Sequence, residues 1–205
     1  FHLYNDEISY VMKVLPNEQM GQLYFGKKIR PKEDYSYLVE THMRPMSSCV
    51  FDTDKNFSME YIRQEYGVFG TSDYRMPAVE VLQENGSRIS DFRYCGYRIE
   101  SGKPKLSGLP ATYVEDASEA ETLVIELKDP VSKMSLKLFY TIFAKGGIIA
   151  RSARFLNEGE QDLHLTSAMS LCMDLPDSEY DWLQFSGAWA RERYLKTRRL
   201  QQGIQ

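Results

Sequence analysis

The sequence predicts an all-β fold, a large antiparallel β-sandwich. Three observations carry this. The dominant hydrophobic period is two rather than three and a half, β-rich runs recur between turn signals at regular spacing, and no long stretch has helical periodicity. With 205 residues the chain can bury a sizeable core without disulfide or metal support. Its 14 tyrosines suit strands first and sugar-facing surfaces second.

The elements follow in order along the chain. Glu7 to Val14 alternates as a strand, Pro16-Asn17-Glu18 reads as a turn, and Gln22 to Phe25 returns. Lys27 to Asn56 has no period, and a loop of that length is either functional or covers something. Ala78 to Gln83 and Arg88 to Tyr94 flank Asn85-Gly86, the signature of a hairpin whose central residues tolerate positive φ. Leu123 to Lys128 and Ser135 to Phe143 pair through Asp129-Pro130. Ile148 to Leu156 and Leu163 to Met173 pair through Asn157-Glu158-Gly159-Glu160. Ser118 to Thr122 reads as one short helical turn capped by Ser118. The chain stops soon after the strand-like Arg193 to Leu200, with no closing helix or tail, so the sandwich is expected to be truncated at its C-terminus.

Composition excludes several classes. A net charge of −4 with interleaved signs argues against a nucleic-acid surface. No apolar run approaches the eighteen or so residues of a membrane span, and the polar, alternating N-terminus has no leader pattern. Cys49, Cys95 and Cys172 are scattered and odd in number, which reads as reduced thiols in a cytoplasmic protein. His2, His42 and His164 have no metal-ligand spacing, and no cofactor motif is present. No carboxylate pair combines a buried acid with an ionised base, and the Asp52/Asp54 pair reads as solvated.

Two segments are over-specified for loops. Gly70-Thr71-Ser72-Asp73-Tyr74-Arg75-Met76-Pro77 reads as a structural corner in which Asp73 pairs with Arg75 or caps backbone N–H groups. Phe185-Ser186-Gly187-Ala188-Trp189-Ala190-Arg191-Glu192-Arg193 sets Trp189 between small residues. Composition alone places such a tryptophan in a core. A free indole face would instead stack on the C–H face of a pyranose.

Gly21 to Lys27, Gln64-Glu65-Tyr66, Thr71 to Pro77, Glu84 to Ser87, Gly108 to Glu115, Ile149 to Phe155 and Gly187 to Arg193 form an ordered set of stretches through the chain. Taken in order, they resemble the N-terminal domain of bacterial α-galactosidases of glycoside hydrolase family 36. The resemblance implies a β-supersandwich of the galactose-mutarotase type over residues 1–205, followed in the full-length protein by a (β/α)8 barrel that this chain lacks. It implies hydrolysis of terminal α-galactosides such as melibiose and raffinose with retention, by two Asp residues of that barrel. No cofactor is implied, and this chain alone is then inactive. The expected partners are the galactoside, the chain's own barrel and further subunits, often to a tetramer. The resemblance makes Trp189 a substrate contact. A second family contact, an Asp before an Arg, aligns on Met43 when Arg44 and Ser47 are matched, so no carboxylate stands there and the polar contact is lost or shifted; a shift of one or two residues gives the position to His42. The rival reading is a non-catalytic carbohydrate-binding or assembly module. A free-standing mutarotase would need a His/Glu acid–base pair in a concave face, which three scattered histidines do not supply.

Overall fold

Period-two alternation sends Tyr10 and Met12 of one strand, Val79 and Val81 of another, and Leu136, Leu138 and Tyr140 of a third into one shared apolar cluster. The computed structural model in which this is seen describes residues 1–43, 50–51, 53–70, 73–108, 110–169, 171–176 and 179–201. It divides into two units, Phe1–Asp174 and Leu175–Gln205, and each is described by itself.

Among its described residues the first unit holds three antiparallel sheets. Strands β1 (His2–Tyr4), β2 (Ile8–Val14) and β3 (Met20–Lys27) form one. Strands β5 (Arg93–Ser101), β6 (Ala120–Lys128), β7 (Met134–Phe143) and β8 (Ile149–Asn157) form the largest, in that order. The third pairs β4 (Val79–Gln83) with β9 (Leu163–Ala168). In the four-stranded sheet Leu123 faces Tyr140, Ile125 faces Leu138 and Leu127 faces Leu136. All six side chains point into the cluster that β2 and β4 also fill, which makes the unit a sandwich. The opposite face of β6 and β7 is also covered. Thr122 and Thr141 are buried there with their hydroxyls 2.7 Å apart, and Thr122 Oγ1 donates to Gly102 O.

The expected β2–β3 and β6–β7 hairpins form, and local chemistry explains both. Glu18 takes a φ of 67° in the first turn. In the second, Asp129 is buried and accepts from the backbone N–H groups of Val131 and Ser132. Two other expected pairings do not form. Asn85-Gly86 does turn the chain, with Gly86 at φ +82° and Gly86 N donating to Gln83 O. Yet β4 pairs with β9, not with Arg88 to Tyr94. The loop after Asn157 likewise moves the chain from one sheet to another, because β8 pairs with β7 whereas β9 pairs with β4. A turn motif fixes chain reversal but not the partner, and non-local apolar burial decides the partner. The short helical turn is a 3-10 turn over Ala117–Glu119, and its cap is Asp116, which accepts from Ser118 N.

Between β3 and Asn56 the described residues contain one 3-10 turn, Ser36–Leu38, and no strand. Part of this loop packs on the chain's own core. Tyr35 is buried with Val11 and Leu23, and its hydroxyl donates to Arg30 O at 3.0 Å. Arg44 to Cys49 and Asp52 lie outside the described residues.

The described residues of the second unit form one antiparallel hairpin, β10 (Asp181–Ala188) and β11 (Arg191–Arg199). The register sets Trp182 opposite Arg198 and Phe185 opposite Leu195. Leu183, Phe185 and Leu195 therefore share one face, and Trp182 and Tyr194 the other. All five are exposed.

Candidate functional site

Trp189 stands at the tip of the hairpin, and its sequence neighbours explain why. The ladder shifts register between Ser186 and Ala188, and Ala190 adopts a φ of 58°. Gly187 is needed there because an added Cβ would lie 2.4 Å from Arg191 O and 2.8 Å from Glu192 Cα. Ala190 N donates to Glu192 Oε1 at 3.0 Å, which ties the tip back to β11. The side chain of Trp189 is 94% exposed. The compositional reading of a core residue is thus wrong for this structure. A bare indole supplies a flat apolar face for stacking and a single N–H donor, with no acid, base or nucleophile.

Met43 is exposed in the first unit and carries no group that could accept a sugar hydroxyl. The ring of His42, its neighbour, lies tilted against Tyr61 with centroids 4.9 Å apart. Arg44 and Ser47, on which the alignment of Met43 rests, lie outside the described residues. Met43 and Trp189 belong to different units.

A buried charge centre escaped the sequence reading. Glu65 is fully buried, and its carboxylate accepts from Tyr10 Oη at 2.5 Å and Tyr140 Oη at 2.7 Å. Arg151 Nη2 pairs with it at 2.5 Å, and the same guanidinium lies 5.0 Å from the Tyr140 ring centroid. Burial pushes the Glu65 carboxyl up to about 7, against the pull of Arg151 and the two tyrosine hydrogen bonds. Burial also raises the Tyr10 and Tyr140 hydroxyls and the Cys172 thiol. Substrate has no access to a carboxylate enclosed in this way. It is a polar joint between β2, β7 and β8. A lone Glu between Gln64 and Tyr66 in an irregular segment carries no sequence signal of such a role beyond its place in the resemblance.

The corner around Asp73 is structural, as expected. Arg75 Nε and Nη2 donate to Asp73 at 3.0 and 3.1 Å, and Arg75 N donates to Asp73 Oδ1. Thr71 and Ser72 are outside the described residues. Among the described residues no group of three or more His, Cys, Asp or Glu could hold a metal ion.

Residues 18–205 match the glycosyl hydrolase family 36 N-terminal domain. The chain is 42% identical over 205 residues to α-galactosidase AgaA of Geobacillus stearothermophilus, covering 100% of this chain and 28% of that protein. It is 32% identical over 204 residues to α-galactosidase Mel36A of Lactobacillus acidophilus, again 28% of that protein. Among solved structures, the AgaA crystal structure superposes with a TM-score of 0.93 at 41% identity, over 100% of this chain and 28% of that one. The α-galactosidase of Lactobacillus brevis gives a TM-score of 0.95 at 38% identity, with the same coverages. A variant of AgaA has been crystallised with raffinose. This chain therefore spans little more than a quarter of the length of these relatives.

Proposed function

Because this chain belongs to the glycosyl hydrolase family 36 N-terminal domain family, we propose that it is the N-terminal part of an α-galactosidase. The polypeptide that carries it hydrolyses terminal α-galactosides of the melibiose and raffinose type with retention. Residues 1–205 belong to the N-terminal β-supersandwich domain in this reading, and the two carboxylates of the retaining scheme belong to a (β/α)8 barrel outside them. The single observation that carries the proposal is the 42% identity to an α-galactosidase over the full length of this chain.

The domain's contribution is to shape the sugar site. Trp189 stacks on a pyranose face in this reading, which its exposure at the hairpin tip supports. Met43 is a second substrate contact in this reading, apolar where the family pattern has a carboxylate. The full-length protein is cytoplasmic and tetrameric. The apolar residues exposed on both faces of the second unit support association with further protein surface. No described helix is long and apolar enough to cross a membrane.

The experiment is a comparison of the full-length protein with residues 1–205 on a chromogenic α-galactoside. The full-length protein should release the aglycone and yield α-galactose first, and residues 1–205 alone should give no turnover. Failure of the full-length protein on every α-galactoside, or turnover by the purified 1–205 chain, overturns the reading.

A further inference from the structure

Strand β5 ends the four-stranded sheet, and β6 is its only neighbour there among the described residues. Its ladder fixes which way each peptide group points. Ser101 stands opposite Glu121, and Gly102 N donates to Ala120 O at 2.8 Å. Bonded pairs alternate along an antiparallel ladder, so Glu100 and Arg98 also turn their N–H and C=O groups toward β6. Tyr97, Ile99 and Ser101 turn theirs outward. The open stretch begins beyond Tyr94, whose N–H donates to Glu18 O at 2.8 Å, and beyond the register shift at Gly96.

The side chains along this edge are incompletely covered. Tyr97 and Ile99 stand opposite Ile125 and Leu123, which are core residues, yet they are themselves 56% and 57% exposed. On the other face Arg98 Nε donates to Glu100 Oε1 at 2.7 Å. Arg98 also pairs with Glu126, and Glu126 pairs with Lys137 Nζ at 3.0 Å. A row of alternating sign thus runs from Lys137 through Glu126 to Arg98 at the edge. Residues 97–101 contain none of the proline, lysine or bulge that commonly blunt an edge, and their two charges are opposite in sign.

We propose that the β5 edge pairs antiparallel with the β5 edge of a second copy of this chain, about a two-fold axis at Ile99. This gives one surface to the oligomer proposed above. Outward peptide groups must meet outward peptide groups, so the axis passes through a residue rather than between two. An axis at Arg98 or at Glu100 sets that charge against itself, which is destabilising. An axis at Tyr97 leaves Arg98 and Glu100 facing Gly96 and Tyr94. An axis at Ile99 sets Arg98 against the second copy's Glu100, and Glu100 against the second copy's Arg98. It also brings Tyr97 opposite the second copy's Ser101, so that outward groups bond on both sides of the axis. The alternating row of charges then continues into the second sheet, and the contact is self-complementary, as a two-fold interface requires.

The test is made in the full-length protein. Across the proposed axis the two Ile99 Cα atoms lie about 5.5 Å apart, within the span that a disulfide bridges. Ile99→Cys should therefore give a covalent dimer under mild oxidation, with the wild type as control for native thiols. Tyr97→Cys should not, because its two copies lie four residues apart along the strand, roughly 14 Å. Arg98→Glu sets like charges opposite each other twice and should weaken self-association at least about tenfold in sedimentation equilibrium. Arg98→Glu/Glu100→Arg should return it to within about threefold of wild type, because the pairing is restored with its signs exchanged. An assembled wild type in which Ile99→Cys stays uncrosslinked, or Tyr97→Cys crosslinks equally, overturns this surface and leaves the oligomer reading standing. A monomeric wild type overturns both. A double variant that associates no better than Arg98→Glu overturns the register. Amide exchange of Tyr97 and Ile99 should be slow in wild type and fast in Arg98→Glu. Equal protection in both would mean that a strand of the same polypeptide covers the edge, and that outcome also overturns the proposal.

Discussion

Glu65 makes the stability of the first unit depend on pH in a direction opposite to that of an ordinary carboxylate. Burial raises its carboxyl from an ordinary 4.5 to about 7 in the folded chain. Between those two values the folded state binds a proton that the unfolded state has released. Stability from this group is therefore fully present below pH 4.5 and is lost as pH rises through 7. At about 1.4 kcal/mol per pH interval, the loss across the window is about 3 kcal/mol. The assay is urea unfolding of the 1–205 chain from pH 4.5 to 8, with Glu65→Gln as reference. Subtracting the reference cancels other groups, including His2, which burial lowers and which acts with the opposite sign. Glu65→Gln leaves Arg151 without its partner, so Glu65→Gln/Arg151→Met serves as a second reference. The wild-type chain should lose about 3 kcal/mol relative to either reference as pH rises. A difference independent of pH would mean that Arg151 and the two tyrosines offset burial completely. A difference of opposite sign would mean that they win, and either result refutes the reasoning.

Three further outcomes follow from the structure. Trp189→Ala should change the unfolding free energy of the 1–205 chain by less than about 1 kcal/mol, since its side chain is 94% exposed, and should lower kcat/KM of the full-length enzyme roughly five- to thirtyfold. A large drop in melting temperature with intact kinetics would return Trp189 to a packing role. Gly187→Ala should disrupt the hairpin tip, because its Cβ would meet backbone rather than a movable side chain. Amide exchange of residues 186–192 reports it, and protection equal to wild type would count against the close approach. Tyr140→Phe should destabilise the first unit by about 1.5–3 kcal/mol in denaturant unfolding, the range for a hydrogen bond to a charged group. A neutral result would show that the Glu65 centre is satisfied without it.

The sequence alone settled the period and the local reversals. Alternation gave β2, β3, β6 and β7, the Asp129-Pro130 loop joined the expected strands, and Asn85-Gly86 turned where its chemistry requires. Family membership was legible as well, because the motif stretches run in order through nearly the whole chain. Pairing between distant strands was not legible. Nothing local in Val79–Gln83 says that its partner is Leu163–Ala168, some eighty residues on, because that choice depends on which faces bury against which across the core. The Glu65 centre was hidden for the same reason. Its tyrosines and arginine come from three strands, and only their convergence in a dry interior turns a commonplace glutamate into a perturbed one. Trp189 shows the division most sharply. Its small neighbours gave it room to stand out, but composition favoured a core. Exposure was decided by the tight β10–β11 turn, where the backbone of Arg191 fills the space behind Gly187 and leaves the indole in solvent.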